Sequence, residues 1–126
     1  IDVDQFAIIN EKYGFMVGDL VLTRIVKIVK RSIRSVDILS RFAGDQFAII
    51  LPHANKREAQ ELAERIRKTV EERSKHFKEV KGGFTITQAV IQFKSSESAS
   101  NDVTLRARAL LENGKSEKRN FVFVES

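Results

Sequence analysis

Apolar and polar residues alternate along this chain with two different periods, which predict helices in some segments and strands in others. In the long helical segments the apolar residues repeat with a spacing of three or four, and charged residues fill the positions between them. The predicted helices are 6–12, 19–35, 56–76 and a last one that Asn101 or Asp102 caps and that ends at about Glu112, before Asn113-Gly114. β-Branched and aromatic residues predict the strands, which are 1–5, 37–42, 47–51, 84–93 and 121–124.

The order strand, helix, strand, strand, helix, strand predicts an α+β fold with the ferredoxin-like, split βαβ arrangement. In that topology the first strand lies between the third and the fourth, in a central, mostly antiparallel sheet flanked by helices. A length of 126 residues suits a single domain with one core, so we assign one domain to residues 1–126. Because residues 1–5 look like the end of a strand, we expect the domain to be part of a longer multidomain protein.

The net charge of +5 favours an anionic partner. Most lysines and arginines, however, are interleaved with glutamates on the predicted helices, as is usual for a solvated helix face. No aromatic residues are interleaved with a basic stretch as a stacking platform for bases, so we expect no nucleic-acid partner. No apolar run approaches the roughly 18 residues of a membrane-spanning helix, and we expect no membrane contact by this domain. The absence of cysteine is compatible with the cytoplasm, where we place the protein.

The segment 41–51 reads as a β-hairpin with Asp45 at its tip, and Gly44 permits the tight turn. Taken alone, Asp45 is a residue that favours turns. The predicted topology, however, brings the end of the first strand next to this tip, so that Asp2 and Asp4 would approach Asp45. Carboxylates gathered in this way suit a hard divalent cation such as Mg²⁺, which in turn favours a phosphate-bearing ligand.

Four segments together resemble the GGDEF domain of diguanylate cyclases, over nearly the full chain. Each segment alone is a weak match, whereas their order and spacing form a specific signal. The matching segments, each with the family's pattern, are residues 1–10 (D-x-D-x-F-K-x-I-N), 14–19 (G-H-x-x-G-D), 41–47 (R-x-G-G-D/E-E-F) and 115–120 (A-K-x-x-G-R-N). The resemblance implies the palm core of nucleotide cyclases.

By this resemblance, an active member condenses two GTP into cyclic di-GMP across a dimer. Asp2 and Asp45 would hold the metal, and Asp45 and Gln46 stand at the catalytic positions. Carboxylates suit Mg²⁺, and cationic side chains suit phosphate. The implied nucleotide contacts are guanine recognition by Asn10 and Asp19 and phosphate binding by Lys115 and Arg119.

Substitutions within the matching segments argue against catalysis. Ala43 replaces the first glycine of the signature and crowds a turn that must approach the nucleotide closely. Gln46 replaces the second acid, and its neutral amide cannot act as a base, a loss that commonly costs a factor on the order of 10² to 10⁴. Further departures from the family pattern are Ala7, Phe15, Gln88-Ala89, Arg108, Glu112 and Lys118. We therefore interpret the catalytic, metal and GTP-binding residues as vestigial.

A second site is predicted at the other end of the hairpin. Arg34 and Asp37 form an R-x-x-D motif, which by itself is a common pattern at the end of a helix. Its position just upstream of the signature is where GGDEF domains carry their inhibitory product-binding site, and by the same resemblance Arg65 completes it. Arginine binds phosphate or the O6/N7 edge of guanine, and aspartate accepts hydrogen bonds from guanine nitrogens. Asp37 lies about six residues from the turn, roughly 20 Å along an extended strand, so the two sites are separate.

These observations predict a degenerate GGDEF domain that binds cyclic di-GMP through Arg34, Asp37 and Arg65 and makes little or none of it. This receptor requires no cofactor, whereas GTP, if it binds, would bring Mg²⁺. The resemblance also allows a ligand-mediated homodimer. The alternatives that stay open are an active diguanylate cyclase, a domain that binds GTP without turnover, and a structural or dimerising module that binds no nucleotide.

Overall fold

The computed structural model describes residues 1–93 and 100–126 of the chain. Strands and helices follow one another along the chain in the order that the residue pattern predicts. The strands are β1 (Asp2–Val3), β2 (Ile38–Ala43), β3 (Gln46–Ile50), β4 (Ile86–Val90) and β5 (Val122–Val124). The helices are α1 (Phe6–Tyr13), α2 (Phe15–Ser32), α3 (Lys56–Ser74) and α4 (Ser100–Glu117).

The strands form one sheet in the order β2-β3-β1-β4-β5. Strand β1 is antiparallel to both β3 and β4, which confirms its predicted central place. Strands β2 and β3 are also antiparallel, whereas β4 and β5 run parallel. The sheet is therefore mixed but mostly antiparallel, and the α+β fold class is confirmed. Its topology places the start of the chain beside the tip of the β2–β3 hairpin.

The main hydrophobic core lies between the sheet and the helices α2 and α3. Ile25 of α2, Ile66 of α3 and Ile86 of β4 are fully buried within it. The apolar stripes of the two long helices thus face the sheet, as their helical spacing predicts. Asn55 caps α3 as expected, since its side chain accepts from the N–H of Glu58 and the Glu58 carboxylate accepts from the N–H of Asn55.

Helix α2 differs from its predicted boundaries at both ends. It begins at Phe15 rather than Asp19 and ends at Ser32 rather than Ser35. The break from α1 is confined to Gly14, whose φ of +92° is a conformation that favours glycine. Gly18 lies inside α2 and does not mark its start. It is buried against Asn10 of α1, where a Cβ atom would overlap the amide. The two glycines therefore have different tasks, one in the turn and one in close helix packing.

The predicted end of the last helix at Asn113-Gly114 is wrong, because α4 continues to Glu117. Gly114 lies inside the helix and against the ring of Phe123, so that a Cβ atom would overlap the ring. This contact between α4 and β5 explains why a glycine stands there without ending the helix. Strand β4 is shorter than the predicted 84–93. Residues 94–99, most of the polar segment before α4, lie outside the described residues.

Among the described helices, none combines the length and the apolar composition that crossing a bilayer requires.

Candidate functional site

The turn between β2 and β3 holds Asp45 in a fixed place. Gly44 takes a positive φ of +46°, and the strand register shifts between Arg41 and Ala43. The guanidinium of Arg41 closes the turn, since its Nε and Nη2 donate to the carbonyl of Gly44 at 3.0 and 2.7 Å. The turn therefore depends on a side chain within the signature segment as well as on glycine.

Asp2 and Asp45 lie next to each other, as the predicted topology requires. Asp2 pairs with Gln46 across β1 and β3, and the N–H of Val3 donates to the carbonyl of Asp45 at 3.2 Å. Asp2 is buried, with 2% of its surface exposed, whereas Asp45 is half-buried. Burial, together with the negative charge of Asp2 and a hydrogen bond to it, raises the pKa of the Asp45 carboxyl above its ordinary value. The two acids thus form a close like-charge pair.

Lys115 and Gln46 both contact the acid pair through Asp2. The Nζ atom of Lys115 donates to Oδ2 of Asp2 at 2.6 Å, and Nε2 of Gln46 donates to the same oxygen at 3.4 Å. Burial opposes the charge of Lys115, but the hydrogen bond and charge of Asp2 outweigh it and raise the pKa of the Lys115 amine. The other carboxylate oxygen of Asp2, Oδ1, is buried without a hydrogen-bond partner. An orphaned buried acceptor of this kind calls for a donor or a cation.

The acid pair fits part of a divalent-cation site. Asp2 offers a free buried oxygen, and Asp45 adds a second carboxylate, the ligand type that Mg²⁺ prefers. Within residues 1–93 and 102–126, no group of three or more His, Cys, Asp or Glu side chains is arranged to hold a metal ion. A cation at Asp2 and Asp45 would therefore take its remaining oxygens from backbone carbonyls, from water or from a bound ligand.

Asp4 does not join the acid pair, contrary to the prediction from the topology. Its buried carboxylate accepts hydrogen bonds from the hydroxyls of Thr85 at 2.7 Å and Thr87 at 2.6 Å. It also accepts from the backbone N–H of Asn120 at 2.9 Å. With its lone pairs used in this way, Asp4 connects β1, β4 and the turn before β5. Its role is to hold these elements together.

The residues implied in guanine recognition lie at the junction of α1 and α2. Oδ1 of Asn10 is buried and has no hydrogen-bond partner. Gly18 packs on this amide, and the next residue, Asp19, is exposed on α2. The structure thus brings Asn10 close to the segment that carries Asp19. A donor on a ligand would satisfy the free oxygen of Asn10.

Arg119 is exposed in the turn between α4 and β5. Its neighbour Asn120 takes a left-handed φ of +53° and is fixed by its side chain as well as its backbone. The Asn120 amide donates to Glu71, and its oxygen accepts from Arg67 of α3 at 3.1 Å. Asp4 also holds its N–H, as described above. The turn that presents Arg119 is therefore anchored both to α3 and to Asp4.

Arg34 and Asp37 are bonded directly to each other at the end of α2. Oδ2 of Asp37 accepts from the backbone N–H of Arg34 at 2.7 Å, and its Oδ1 accepts from Nη2 of Arg34 at 3.1 Å. Nη2 also donates to the carbonyl of Pro52 at 2.8 Å. The hydrogen bond from Arg34 lowers the pKa of the Asp37 carboxyl despite burial, which opposes it. Half of the Arg34 side chain, 52%, stays exposed.

The structure brings Arg65 to the same place as Arg34 and Asp37. Its Nη2 donates to the carbonyl of Ser32, the last residue of α2, at 3.3 Å. Together these residues line a surface cavity of about 160 Å³. Sequence reasoning missed the other residues of this cavity, because they adjoin the motif in space and carry no signal of their own. They are Ser32, Leu51, Ala54, Glu58 and Leu62.

Comparison with known families and proteins gives consistent matches. Residues 1–121 match the family model for the GGDEF domain of diguanylate cyclases. Diguanylate cyclase A of Treponema denticola is 35% identical over 122 residues, which are 97% of this chain and 33% of that protein. The probable diguanylate cyclase DgcT of Escherichia coli is 41% identical over 71 residues, or 56% of this chain and 16% of that protein. The chain thus spans a third or less of the length of these relatives.

Solved structures show the same fold. The GGDEF domain of DgcB from Caulobacter crescentus in complex with c-di-GMP has a TM-score of 0.85 and 27% identity, covering 98% of this chain and 73% of that one. The active GGEEF domain of a diguanylate cyclase from Vibrio cholerae also has a TM-score of 0.85, with 24% identity, covering 99% of this chain and 79% of that one.

Proposed function

The chain belongs to the GGDEF family of diguanylate cyclase domains, and we propose that it acts as a receptor for cyclic di-GMP with little or no cyclase activity. The single observation that carries this proposal is the arrangement of Arg34, Asp37 and Arg65 around one surface cavity. The complex of the DgcB GGDEF domain with c-di-GMP supports it by similarity. The proposed receptor needs no metal.

The chemistry of the cavity suits a cyclic dinucleotide that binds at the surface. Arg34 keeps half of its side chain exposed while Asp37 and Pro52 hold its guanidinium in place. Arg65 is exposed and adds a second guanidinium, and guanidinium groups bind phosphate or guanine in bidentate fashion. A volume of about 160 Å³ is below the roughly 300–1,000 Å³ of enclosed ligand pockets. The cavity therefore accepts one base or phosphate edge, and the rest of the ligand stays outside or contacts a second copy of the domain.

The proposed loss of cyclase activity rests on the hairpin tip. Gln46 places a neutral amide beside Asp2, where the family pattern has an acid. It therefore contributes neither negative charge toward a metal nor a proton acceptor. Ala43 adds a methyl group at the register shift of β2.

The cytoplasmic location expected from the cysteine-free composition remains a prediction.

An active diguanylate cyclase is the second candidate function, and the free oxygen of Asp2 favours it. Asp2 and Asp45 are both retained and adjacent, and Oδ1 of Asp2 has no hydrogen-bond partner. Asn10 also keeps a buried acceptor that a guanine could satisfy. Incubation with GTP and Mg²⁺ followed by chromatography of the products separates the candidates. Formation of cyclic di-GMP would support the cyclase, whereas intact GTP would argue against it.

Calorimetric titration with cyclic di-GMP tests the receptor, and Arg65→Ala is the most informative variant. Replacing Arg34 would leave the buried carboxylate of Asp37 without its partner, so a loss of binding could reflect a damaged turn. Among the described residues, the Arg65 side chain makes one long hydrogen bond, to a backbone carbonyl at the surface. We expect Arg65→Ala to lose about tenfold in affinity or more, because hydrogen bonds to charged groups contribute roughly 1.5–3 kcal/mol.

Arg57→Ala is the matched control for Arg65→Ala. Arg57 lies on the same helix α3, pairs with Glu61 at the surface, and does not line the cavity. This variant should bind cyclic di-GMP as the wild type does. Absence of binding to the wild type, or equal binding by wild type and Arg65→Ala, would refute the proposal. A wild type whose melting temperature responds neither to cyclic di-GMP nor to GTP would instead indicate a structural module.

Light scattering with and without cyclic di-GMP tests the ligand-mediated homodimer. A ligand held at a surface cavity can bridge two copies, so the receptor is expected to double its mass when cyclic di-GMP is added.

If GTP stabilises the domain without being converted, GTP is a second ligand. We expect it to bind at the hairpin tip together with Mg²⁺.

A further inference from the structure

The ammonium of Lys115 is the cation that the structure places at the acid pair of Asp2 and Asp45. Its Nζ lies 2.6 Å from Oδ2 of Asp2, and the two side chains are 23% and 3% exposed. Lys115 comes from the last turn of α4, 113 residues away from Asp2. On the same carboxylate, Oδ1 stays buried without a partner. One oxygen of Asp2 is therefore neutralised by the protein, and the other is free.

The acid pair alone is a poor binding site for a divalent cation. Asp2 and Asp45 are its only carboxylates, since the described residues contain no larger metal-ligating group there. Mg²⁺ commonly takes one or two carboxylates from a protein and completes its coordination with water and phosphate oxygens. While Lys115 stays on Asp2, its positive charge also repels an incoming cation. Two independent features thus disfavour a metal in the absence of a ligand.

We propose that Lys115 is an exchangeable counter-ion that makes divalent-cation binding at Asp2 and Asp45 conditional on a triphosphate ligand. Lysine carries its charge on a flexible stem with rotatable donors, so it can change partners without moving the helix. A triphosphate chain draws Lys115 away from Asp2 and releases Oδ2. The freed Oδ2 of Asp2 and the carboxylate of Asp45 would then hold the cation, which neutralises phosphate charge. This inference concerns the opposite end of the hairpin from the cyclic di-GMP cavity and goes beyond the receptor function.

The exchange has a thermodynamic consequence in both directions. A ligand that removes Lys115 from Asp2 tightens cation binding, and the cation must tighten ligand binding by the same factor. Without Lys115, the acid pair carries its full negative charge and attracts a cation even when no ligand is bound. In such a variant the ligand therefore increases the cation affinity less than in the wild type, because it has no counter-ion to remove from Asp2.

A titration with Mn²⁺, monitored through the loss of the EPR signal of the free ion, tests whether Lys115 weakens cation binding in the absence of ligand. In the absence of ligand, Lys115→Met should bind Mn²⁺ at least about fivefold more tightly than the wild type, the lower end of usual coupling factors. Lys118→Met is the matched control, because it removes the same charge from the adjacent segment. The Nζ of Lys118 lies over the ring of Phe121, 4.6 Å from its centroid. Lys118→Met should therefore bind Mn²⁺ as the wild type does.

The second part is tested by repeating the titration with inorganic tripolyphosphate and with a non-hydrolysable GTP analogue. Protein-free mixtures give the reference for chelation of Mn²⁺ by the phosphates. In the wild type, the ligand should tighten Mn²⁺ binding by about fivefold or more, and in Lys115→Met by clearly less. Enhancement by both ligands supports the exchange with the triphosphate chain alone, and enhancement by the analogue only supports it with a nucleoside requirement.

Several outcomes would overturn the proposal. They are equal Mn²⁺ affinity of wild type and Lys115→Met without ligand, an enhancement that Lys115→Met retains in full, and no enhancement of the wild type by either ligand. Circular dichroism shows whether Lys115→Met folds, and Lys115→Gln replaces it if it does not. The absence of enhancement in the wild type overturns the proposal in either case. Cyclic di-GMP calorimetry on Arg65→Ala is a separate experiment, so failure here leaves the receptor proposal standing.

Discussion

Asp37 closes the end of α2 by accepting hydrogen bonds from the backbone and the side chain of Arg34. The distances to Oδ2 are 2.7 Å from the backbone nitrogen and 3.3 Å from Nε, and Nη2 lies 3.1 Å from Oδ1. The carbonyl of Arg34 in turn accepts from the N–H of Asp37. The pair that we assign to ligand binding is therefore also the joint between α2 and the hairpin.

The stability contributed by this joint should depend on pH. The hydrogen bond from Arg34 holds the pKa of Asp37 below its ordinary value. A carboxyl with a lowered folded-state pKa stabilises the fold above about pH 4, and this contribution is lost as the pH falls through the folded-state pKa. Asp37→Asn should therefore be less stable than the wild type at pH 7, and the difference should shrink toward pH 3. Urea unfolding at pH 7, 5 and 3 measures it.

Asp19→Asn is the control for this pH series, because Asp19 is an exposed acid. Its stability should follow that of the wild type at each pH. A difference between Asp37→Asn and the wild type that stays constant from pH 7 to pH 3 would mean that the charge of Asp37 does not contribute.

Replacement of Asp4 should destabilise the fold strongly although Asp4 takes no part in the acid pair. Asp4→Ala removes the acceptor of the Thr85 and Thr87 hydroxyls and leaves the Asn120 N–H only its hydrogen bond to Oγ1 of Thr87 at 3.1 Å. Hydrogen bonds to a charged group contribute roughly 1.5–3 kcal/mol each, so we expect a loss of about 3 kcal/mol in the free energy of unfolding. Urea denaturation measures the loss, with Asp19→Ala as an exposed acid that should change it little. Similar values for the two variants would contradict the anchoring role of Asp4.

Gly114→Ala should also destabilise the protein, against the helix propensity of alanine. A Cβ at this position overlaps the ring of Phe123, and overpacking of this kind costs about 1–3 kcal/mol. Alanine gains back about 1 kcal/mol as a better helix former. Thermal unfolding should therefore show a net loss of about 1 kcal/mol.

A double-mutant cycle separates these two effects at Gly114. In a Phe123→Ala background the ring is gone, so the same Gly114→Ala change should become neutral or stabilising. An equal cost in both backgrounds would show that the ring contact does not set the requirement for glycine.

Local sequence signals predicted the elements and the topology. They failed to predict an element boundary where a contact between residues distant in the sequence is involved. The hairpin, the cap at Asn55 and the central place of β1 follow from residue types and spacing within each segment. The end of α4 does not, because Asn113-Gly114 is a helix-stop signal that contact with Phe123 overrides. The position of α4 matters for function, since its last turn carries Lys115 to Asp2.

Spacing also predicted parts of the candidate sites. Arg34 and Asp37 are three residues apart, so their contact follows from local geometry, and topology alone placed Asp2 beside Asp45. The partners of Asp4 could not be foreseen, since an acid in a strand does not reveal whether hydroxyls of another strand will satisfy it. In this structure Thr85 and Thr87 do so.

Restoring an acid at the hairpin tip should increase the affinity of the acid pair for divalent cations. Gln46 donates to Oδ2 of Asp2 at 3.4 Å, so Gln46→Glu replaces this donor by a third carboxylate. A unit charge about 4 Å away contributes about 1 kcal/mol even in water, which corresponds to at least about fivefold tighter Mn²⁺ binding in an EPR titration. Gln60→Glu adds the same charge on the exposed face of α3 and should leave Mn²⁺ affinity unchanged. If both variants bind Mn²⁺ equally well, net charge rather than the position of Gln46 controls the metal affinity.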